Sequence, residues 1–366
     1  MTVAGGIADD PAPLAREAPR QHMPVSKERS TQESPRTRDD ATPRRGAAGH
    51  PGPLLRLRES AAAFWIRLLA HFAARAPWFV DLVKPIFVHG TWLASISIRR
   101  GTTANARRIL GESSSRPERV RLGKAVLANF YEFFAEVGRN SRRTQKEMLV
   151  EVESIIGHEK LLAARAAGRG AVIAVAHMGS YEVAAAALKE YEPHINVVFK
   201  REPIGAYERL RQELHLRLGV NETPVDEGMG IWFHLRNRLQ ANDVVLIQAD
   251  RVMPGQRGVR LPFLGGTLEV PTGPVKLAMA AGSPIIPVFA LRVGRRKVRI
   301  IIEDPIIAEG GLREAGPGAP PHPALVELTN LIARYVEKHP DQWLLLSPAF
   351  VEDQAAARTG QTQERA

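Results

Sequence analysis

AVIAVAHMGSYEVAAAA, residues 171–187, decides how this chain is read. Its first five residues form an apolar run, rich in β-branched side chains and too short for a helix, that follows the breaker Gly168-Arg169-Gly170. Such a run predicts a buried strand, of the parallel kind that carries apolar residues on both faces. Gly179 and Ser180 then supply a flexible and a capping residue, and the Ala-rich stretch 181–189 predicts the opening of a helix. His177 therefore falls at the carboxyl end of a strand and Glu182 in the first turn of the next helix, at the edge of an α/β sheet where ligands collect.

Downstream, short apolar runs alternate with helical patterns. Strands are expected over 195–199, 244–249, 285–291 and 298–302, and helices over 206–218, 231–239, 274–281 and 325–337. That alternation predicts an α/β fold with a central, mostly parallel sheet flanked by helices. No internal repeat is visible, and the polar residues 353–366 read as a solvated tail.

Upstream the character changes. Leu122, Val126, Leu127, Phe130, Phe133, Phe134 and Val137 mark one face of a helical pattern, read as a packed core face with no chemistry. Residues 53–100 predict N-terminal amphipathic helices: Phe64, Trp65, Leu68, Leu69 and Phe72 recur at helical spacing, and Arg67, His71 and Arg75 recur every four residues. Charges at Arg67, His71, Arg75, Asp81 and Lys84 interrupt any run of the roughly 18 apolar residues that a spanning helix needs. The segment fits a helix lying in a membrane interface, with Trp65, Trp78 and Phe79 at headgroup depth, and equally a surface helix pair packed on the domain. Residues 1–52 are dense in Pro, Arg, Asp, Glu, Ser and Thr and predict disorder, without the apolar core of a secretory signal. The organisation expected is thus a tail (1–52), an interfacial helical segment (53–100), a catalytic domain (101–352) and a second tail (353–366).

Composition bounds the chemistry. The chain has 366 residues, 44% hydrophobic and 24% charged, which allows a sizeable globular core. The absence of Cys excludes disulfides, thiolate nucleophiles and Cys-based zinc sites. A net charge of +11 favours anionic partners, whether nucleic acid, an anionic membrane or a phosphorylated substrate. There is no phosphate-binding GxxxxGK[ST] loop, no HExxH, no dinucleotide fingerprint and no GxSxG elbow. The basic cluster Arg295-Arg296-Lys297 reads as a hairpin tip and lacks the interleaved aromatics of a nucleic-acid site.

A His near neutral pH is the usual general base, and a carboxylate within reach fixes its tautomer, so His177 with Glu182 forms a candidate pair for deprotonating a hydroxyl. Lys200 and Arg201, just past a strand, suit a phosphate or carboxylate. Asp250 and Arg251 follow another strand end and either brace the same pocket or form a structural ion pair. Pro262-Phe263-Leu264-Gly265 and Thr272-Gly273-Pro274 predict sharp turns, and Pro284 and Pro287 shape the start of a buried strand.

Ala176-His177-Met178-Gly179-Ser180-Tyr181-Glu182 resembles the HxxxxD/E motif of the glycerolipid acyltransferase superfamily, in the form found in the late (lauroyl/myristoyl) acyltransferases of lipid A biosynthesis. Further blocks follow in that family's order: Phe199-Lys200-Arg201-Glu202-Pro203, Gln248-Ala249-Asp250-Arg251 leading to Leu261-Pro262-Phe263-Leu264-Gly265, Ala281-Gly282-Ser283-Pro284-Ile285-Ile286-Pro287-Val288, and His339-Pro340-Asp341-Gln342-Trp343. The chain departs from the lysophosphatidic-acid enzymes in having Ala176 before the His, Glu182 as the acid, and no EGTR.

The resemblance implies a membrane-associated enzyme that moves an acyl chain from a thioester to a lipid hydroxyl, with no metal or other cofactor. His177 would be the base, Glu182 would orient it, and Lys200, Arg201, Asp250 and Arg251 would bind substrate. Acyl carrier protein or coenzyme A would carry the donor acyl group. The acceptor would be an anionic lipid or glycolipid, such as a lipid A precursor, at the cytoplasmic face of the inner membrane. A lysophospholipid or mannolipid acceptor, a thioesterase and a non-catalytic basic membrane-binding protein are the alternatives.

Overall fold

A computed structural model of the chain describes residues 53–200, 205–225, 228, 230–252, 256, 258–310 and 320–355, with side chains from residue 64. The tail expected over 1–52, Arg201 and most of the tail expected over 353–366 lie outside these residues. Asp353, expected to open that tail, is instead held by Arg107 and Arg108 at 3.0 Å each.

Four helices come first: α1 (Pro53–Arg75), α2 (Pro77–Ala94), α3 (Ile96–Leu110) and α4 (Arg116–Asn140). Pro77 opens α2, where its missing N–H costs nothing, and a capping box between Ser115 and Glu118 opens α4. The face that α1 turns to α4 keeps Leu69 and Phe72 of the expected stripe, which pack against Tyr131 and Ala135, and adds small residues beside them. The small residues Ala70 and Ala73 are buried, and a Cβ on Gly138 of α4 would lie 2.5 Å from the Ala70 Cα, so the two backbones meet directly. Phe64 and Trp65 are left 59% and 63% exposed.

After α5 (Gln145–Leu149) the chain alternates through β1 (Val152–Ile156), α6 (His158–Arg165), β2 (Ala171–Val175), α7 (Tyr181–Leu188), β3 (Ile195–Phe199), α8 (Gly205–Leu218), β4 (Asn221–Pro224), α9 (Gly230–Gln240) and β5 (Val244–Gln248). A hairpin, β6 (Gly258–Phe263) with β7 (Gly266–Pro271), precedes α10 (Gly273–Ala281), β8 (Ile285–Gly294), β9 (Lys297–Ile302) and α11 (Pro323–Lys338). Seven strands form one sheet in the order β1-β9-β8-β2-β5-β3-β4, parallel throughout except for the antiparallel β8–β9 pair. The fold is the expected α/β architecture.

Strand β2 lies near the middle, every residue of it buried. Its even-numbered side chains join a core with α9, α10 and α11, and its odd-numbered ones join a second core with α5 through α8. Within this sheet the strands that sequence patterning missed, β1 and β4, are the two edges, where pairing on one side removes the need for a continuous apolar run; the separate β6–β7 hairpin, expected only as turns, was missed as well. The basic cluster does sit at the β8–β9 hairpin, where Arg295 and Arg296 both pair with Asp81 of α2.

Candidate active site

Register builds the centre. Strands β2 and β5 are parallel neighbours with Val175 opposite Gln248, so residues two beyond each strand end, His177 and Asp250, emerge side by side. The His177 Nδ1 lies 2.7 Å from Asp250 Oδ1, and the His177 backbone N–H donates to Oδ2 at 3.0 Å. Trp343 donates its Nε1–H to the same Oδ2 at 2.8 Å. Asp250 is fully buried; burial alone would raise its carboxyl, but the facing His177 and the hydrogen bonds from His177 and Trp343 outweigh it and hold it below the usual range. An ionised Asp250 only accepts, so Nδ1 carries the proton and Nε2 presents its lone pair. Arg251 reaches that Nε2 at 3.3 Å.

The turn after His177 is fastened on three sides. Gly179 adopts φ 62°, and a Cβ there would lie 1.9 Å from the Ala290 carbonyl oxygen, so only Gly fits. The 339–343 block runs alongside, with Leu344 N–H donating to the His177 carbonyl and Gly179 N–H to that of Gln342. Ser180 stands at the N-cap of α7 as expected, yet its hydroxyl does not cap the helix. It donates to Glu136 Oε1 at 2.6 Å, and Arg292 bonds both Glu136 and the Gly179 carbonyl. Burial raises the Glu136 carboxyl, only partly offset by Arg292 and Ser180.

Glu182 is where the structure departs from the expected pair. It is buried in the first turn of α7, and its Oε2 meets His215 Nε2 of α8 at 2.9 Å rather than His177. His215 Nδ1 in turn meets Glu222 Oε1 of β4 at 2.7 Å, and Arg211 donates to the same oxygen at 3.0 Å while stacking over Phe199. The carboxylate that holds His177 is thus Asp250, supplied by strand order, and Glu182 belongs to a second, separate polar chain.

Burial opposes charge on His215, but Glu182 and then Glu222 overcome it and push the imidazole up to about 9. Because this lies above the ordinary 6.5, the pairing stabilises the fold fully below about pH 6.5, and the contribution, on the order of 3 kcal/mol, is lost as pH rises through 9. Urea unfolding of the wild type from pH 6 to 10 is expected to show this decline, and His215→Gln, whatever its constant offset, to flatten it. Parallel curves would remove His215 as the titrating group.

One cavity of about 1080 Å³ joins these groups, just above the roughly 300–1,000 Å³ usual for small-molecule sites. His177, Glu182, Lys200, Arg251 and His215 all line it. Of the α4 stripe read as plain core, Leu122, Val126, Leu127 and Val137 are buried in core clusters, but its three aromatics form the cavity's apolar wall: Phe130 and Phe134 lie 5.0 Å apart, Phe133 is 4.9 Å from Tyr181, and Phe134 is 5.1 Å from Tyr207. Aromatics at helical spacing look the same whether they pack on protein or face a cavity, so periodicity gave no signal. For Trp343 the signal was the 339–343 block itself, although nothing in that block says which group the indole serves.

The sequence model of bacterial lipid A biosynthesis acyltransferases matches residues 59–351, which includes every group just described. The chain belongs to this acyltransferase family. Among its relatives, the phosphatidylinositol mannoside acyltransferase of Mycobacterium tuberculosis (strain ATCC 25618 / H37Rv) is 27% identical over 255 residues, 66% of this chain and 74% of the relative. The enzyme of the same name from Mycolicibacterium smegmatis is 26% identical over 233 residues, 63% and 72% of the two chains. This acyltransferase therefore joins a lipid A family model to mannolipid-named relatives.

Proposed function

We propose that this acyltransferase moves a fatty acyl chain from an acyl thioester to a hydroxyl of an anionic glycolipid, a mannolipid first and a lipid A precursor second. The observation that carries the reading is the His177–Asp250–Trp343 array opening onto a large, aromatic-walled cavity. His177 Nε2 removes the hydroxyl proton as the oxygen attacks the thioester carbon, and the imidazolium then protonates the departing thiolate. Asp250 fixes the tautomer throughout. Arg251 guards Nε2 until the acceptor hydroxyl displaces it, after which its guanidinium remains beside the oxygen that gains charge. Lys200, at the end of β3, faces an anionic group of a substrate, with Arg201 next to it in sequence.

The names of the relatives support taking the mannolipid as the first acceptor. A carrier-bound donor, on acyl carrier protein or coenzyme A, is a soluble cytoplasmic thioester, which would place the enzyme on the cytoplasmic membrane face. Among the described residues no single helix is long and apolar enough to cross a membrane. The outer surface of α1 and α2 nonetheless exposes Trp65, Trp78, Leu82, Ile86 and Leu93 together with Arg67 and Arg75, a composition suited to lying on anionic lipid.

The test presents a long-chain acyl thioester to the protein on anionic vesicles that contain either phosphatidylinositol mannoside or an under-acylated lipid A precursor, with products read by mass spectrometry. Acylated mannolipid and co-sedimentation with the vesicles are expected. Release of free fatty acid that neither acceptor changes would make the protein a thioesterase and end the proposal.

A further inference from the structure

Arg236 stands out among the described residues as an arginine on the cavity wall whose Nε is buried without a partner. It is partly buried on α9 and lines the cavity together with Trp232 and Phe233, the residues four and three positions before it on the same helical face. Its Nε is buried without a hydrogen-bond partner among the described residues. Other arginines with a buried Nε that lacks a hydrogen bond still place another guanidinium nitrogen on a partner: Arg139 on Glu132, Arg292 on Glu136 and Arg251 on His177. Among the described residues no such partner faces Arg236. Leaving a buried charged donor unpaired costs more than a neutral one, and an anionic ligand relieves that cost.

The surroundings fit such a ligand. The N-terminal end of α10 lines the same wall through Thr272, Gly273 and Pro274. The Thr272 side chain makes no cap hydrogen bond, so α10 turns uncapped N–H groups and the positive end of its dipole this way. A Cβ on Gly273 would lie 3.2 Å from the Trp232 ring, so the glycine lets α9 close against that helix end. Lys276, one turn into α10, adds a second cationic side chain to the lining.

We infer that Arg236 and the N-terminal turn of α10 form an anion subsite for a phosphate ester of one substrate, separate from the β3 end where Lys200 stands. The inference rests on the acyl-transfer reading, in which either substrate brings phosphate: the donor through its coenzyme A or phosphopantetheine arm, the acceptor through its phospholipid headgroup. A planar guanidinium grips phosphate through two parallel N–H bonds, which a neutral amide does not replace.

The experiment compares wild type and Arg236→Gln with acyl-coenzyme A against the same acyl group on phosphate-free N-acetylcysteamine, and with a phosphatidylinositol mannoside against a phosphate-free alkyl mannoside. For the phosphate-bearing member of one pair, KM is expected to rise about 10- to 100-fold with kcat little changed, while its phosphate-free partner shows no comparable rise. The pair that responds identifies which substrate holds the phosphate. Arg236→Lys is expected to recover part of the loss. Equal changes for phosphate-bearing and phosphate-free members, or no change in either pair, would overturn the subsite and leave a solvated arginine. Acyl transfer by the wild type with either donor keeps that failure distinct from failure of the acyl-transfer reading.

Discussion

His177→Ala is expected to fold with an unaltered circular dichroism spectrum and to lose acyl transfer by about 10² to 10⁴ in kcat, with little change in the KM for the thioester. The fold should tolerate the change because the ring is not part of either core. Its backbone contributes to the site instead, through the N–H to Asp250 and the carbonyl to Leu344, and Ala keeps both. The catalytic loss follows from the ring. With Nε2 gone, the incoming hydroxyl must attack with its proton still bound, and the departing thiolate meets no acid. What remains is binding and whatever Arg251 contributes to the developing oxyanion, which accounts for a residual rate above that of the unassisted reaction. Full turnover in a folded His177→Ala would remove the ring from the chemistry altogether.

The address of that ring is legible in the amino-acid sequence alone. A five-residue β-branched run, a Gly-Ser turn and an Ala-rich segment are local signals, and β2 and α7 form where those signals place them, with His177 at the strand end. The identity of its partner is not legible, because it depends on strand order. Glu182 is five residues away in sequence, but the helix that starts at Tyr181 carries its side chain toward α8 and His215. Asp250 is 73 residues away and meets the ring because β5 lies directly beside β2 in register, while β3, next in sequence, lies beyond β5. No periodicity encodes that skip. His215 escapes notice for a related reason: it reads as one more polar residue on a helix until β4 brings Glu222 to it.

Asp250→Asn then discriminates between the two carboxylates, and its expected effect follows from which oxygen accepts which proton. Oδ2 receives two donors, the His177 backbone N–H and the Trp343 indole N–H, and these hold an oxygen on that side of the side chain. The amide of Asn must therefore point its NH₂ at His177 Nδ1, where Asp presents Oδ1. Two donors cannot face each other, so Nδ1 becomes the acceptor and the proton moves to Nε2. An imidazole in that tautomer has no lone pair to offer a hydroxyl, and kcat is expected to fall by about 10² to 10⁴ although shape and contacts persist. Nitrogen-15 chemical shifts of His177 read the tautomer independently of turnover. Glu182→Gln, by comparison, is expected to leave the His177 tautomer as it is, because Glu182 bonds His215 instead. If Glu182→Gln moved the His177 proton and Asp250→Asn did not, the motif's own acid would be the orienting group after all, and the strand-register argument would fail with it.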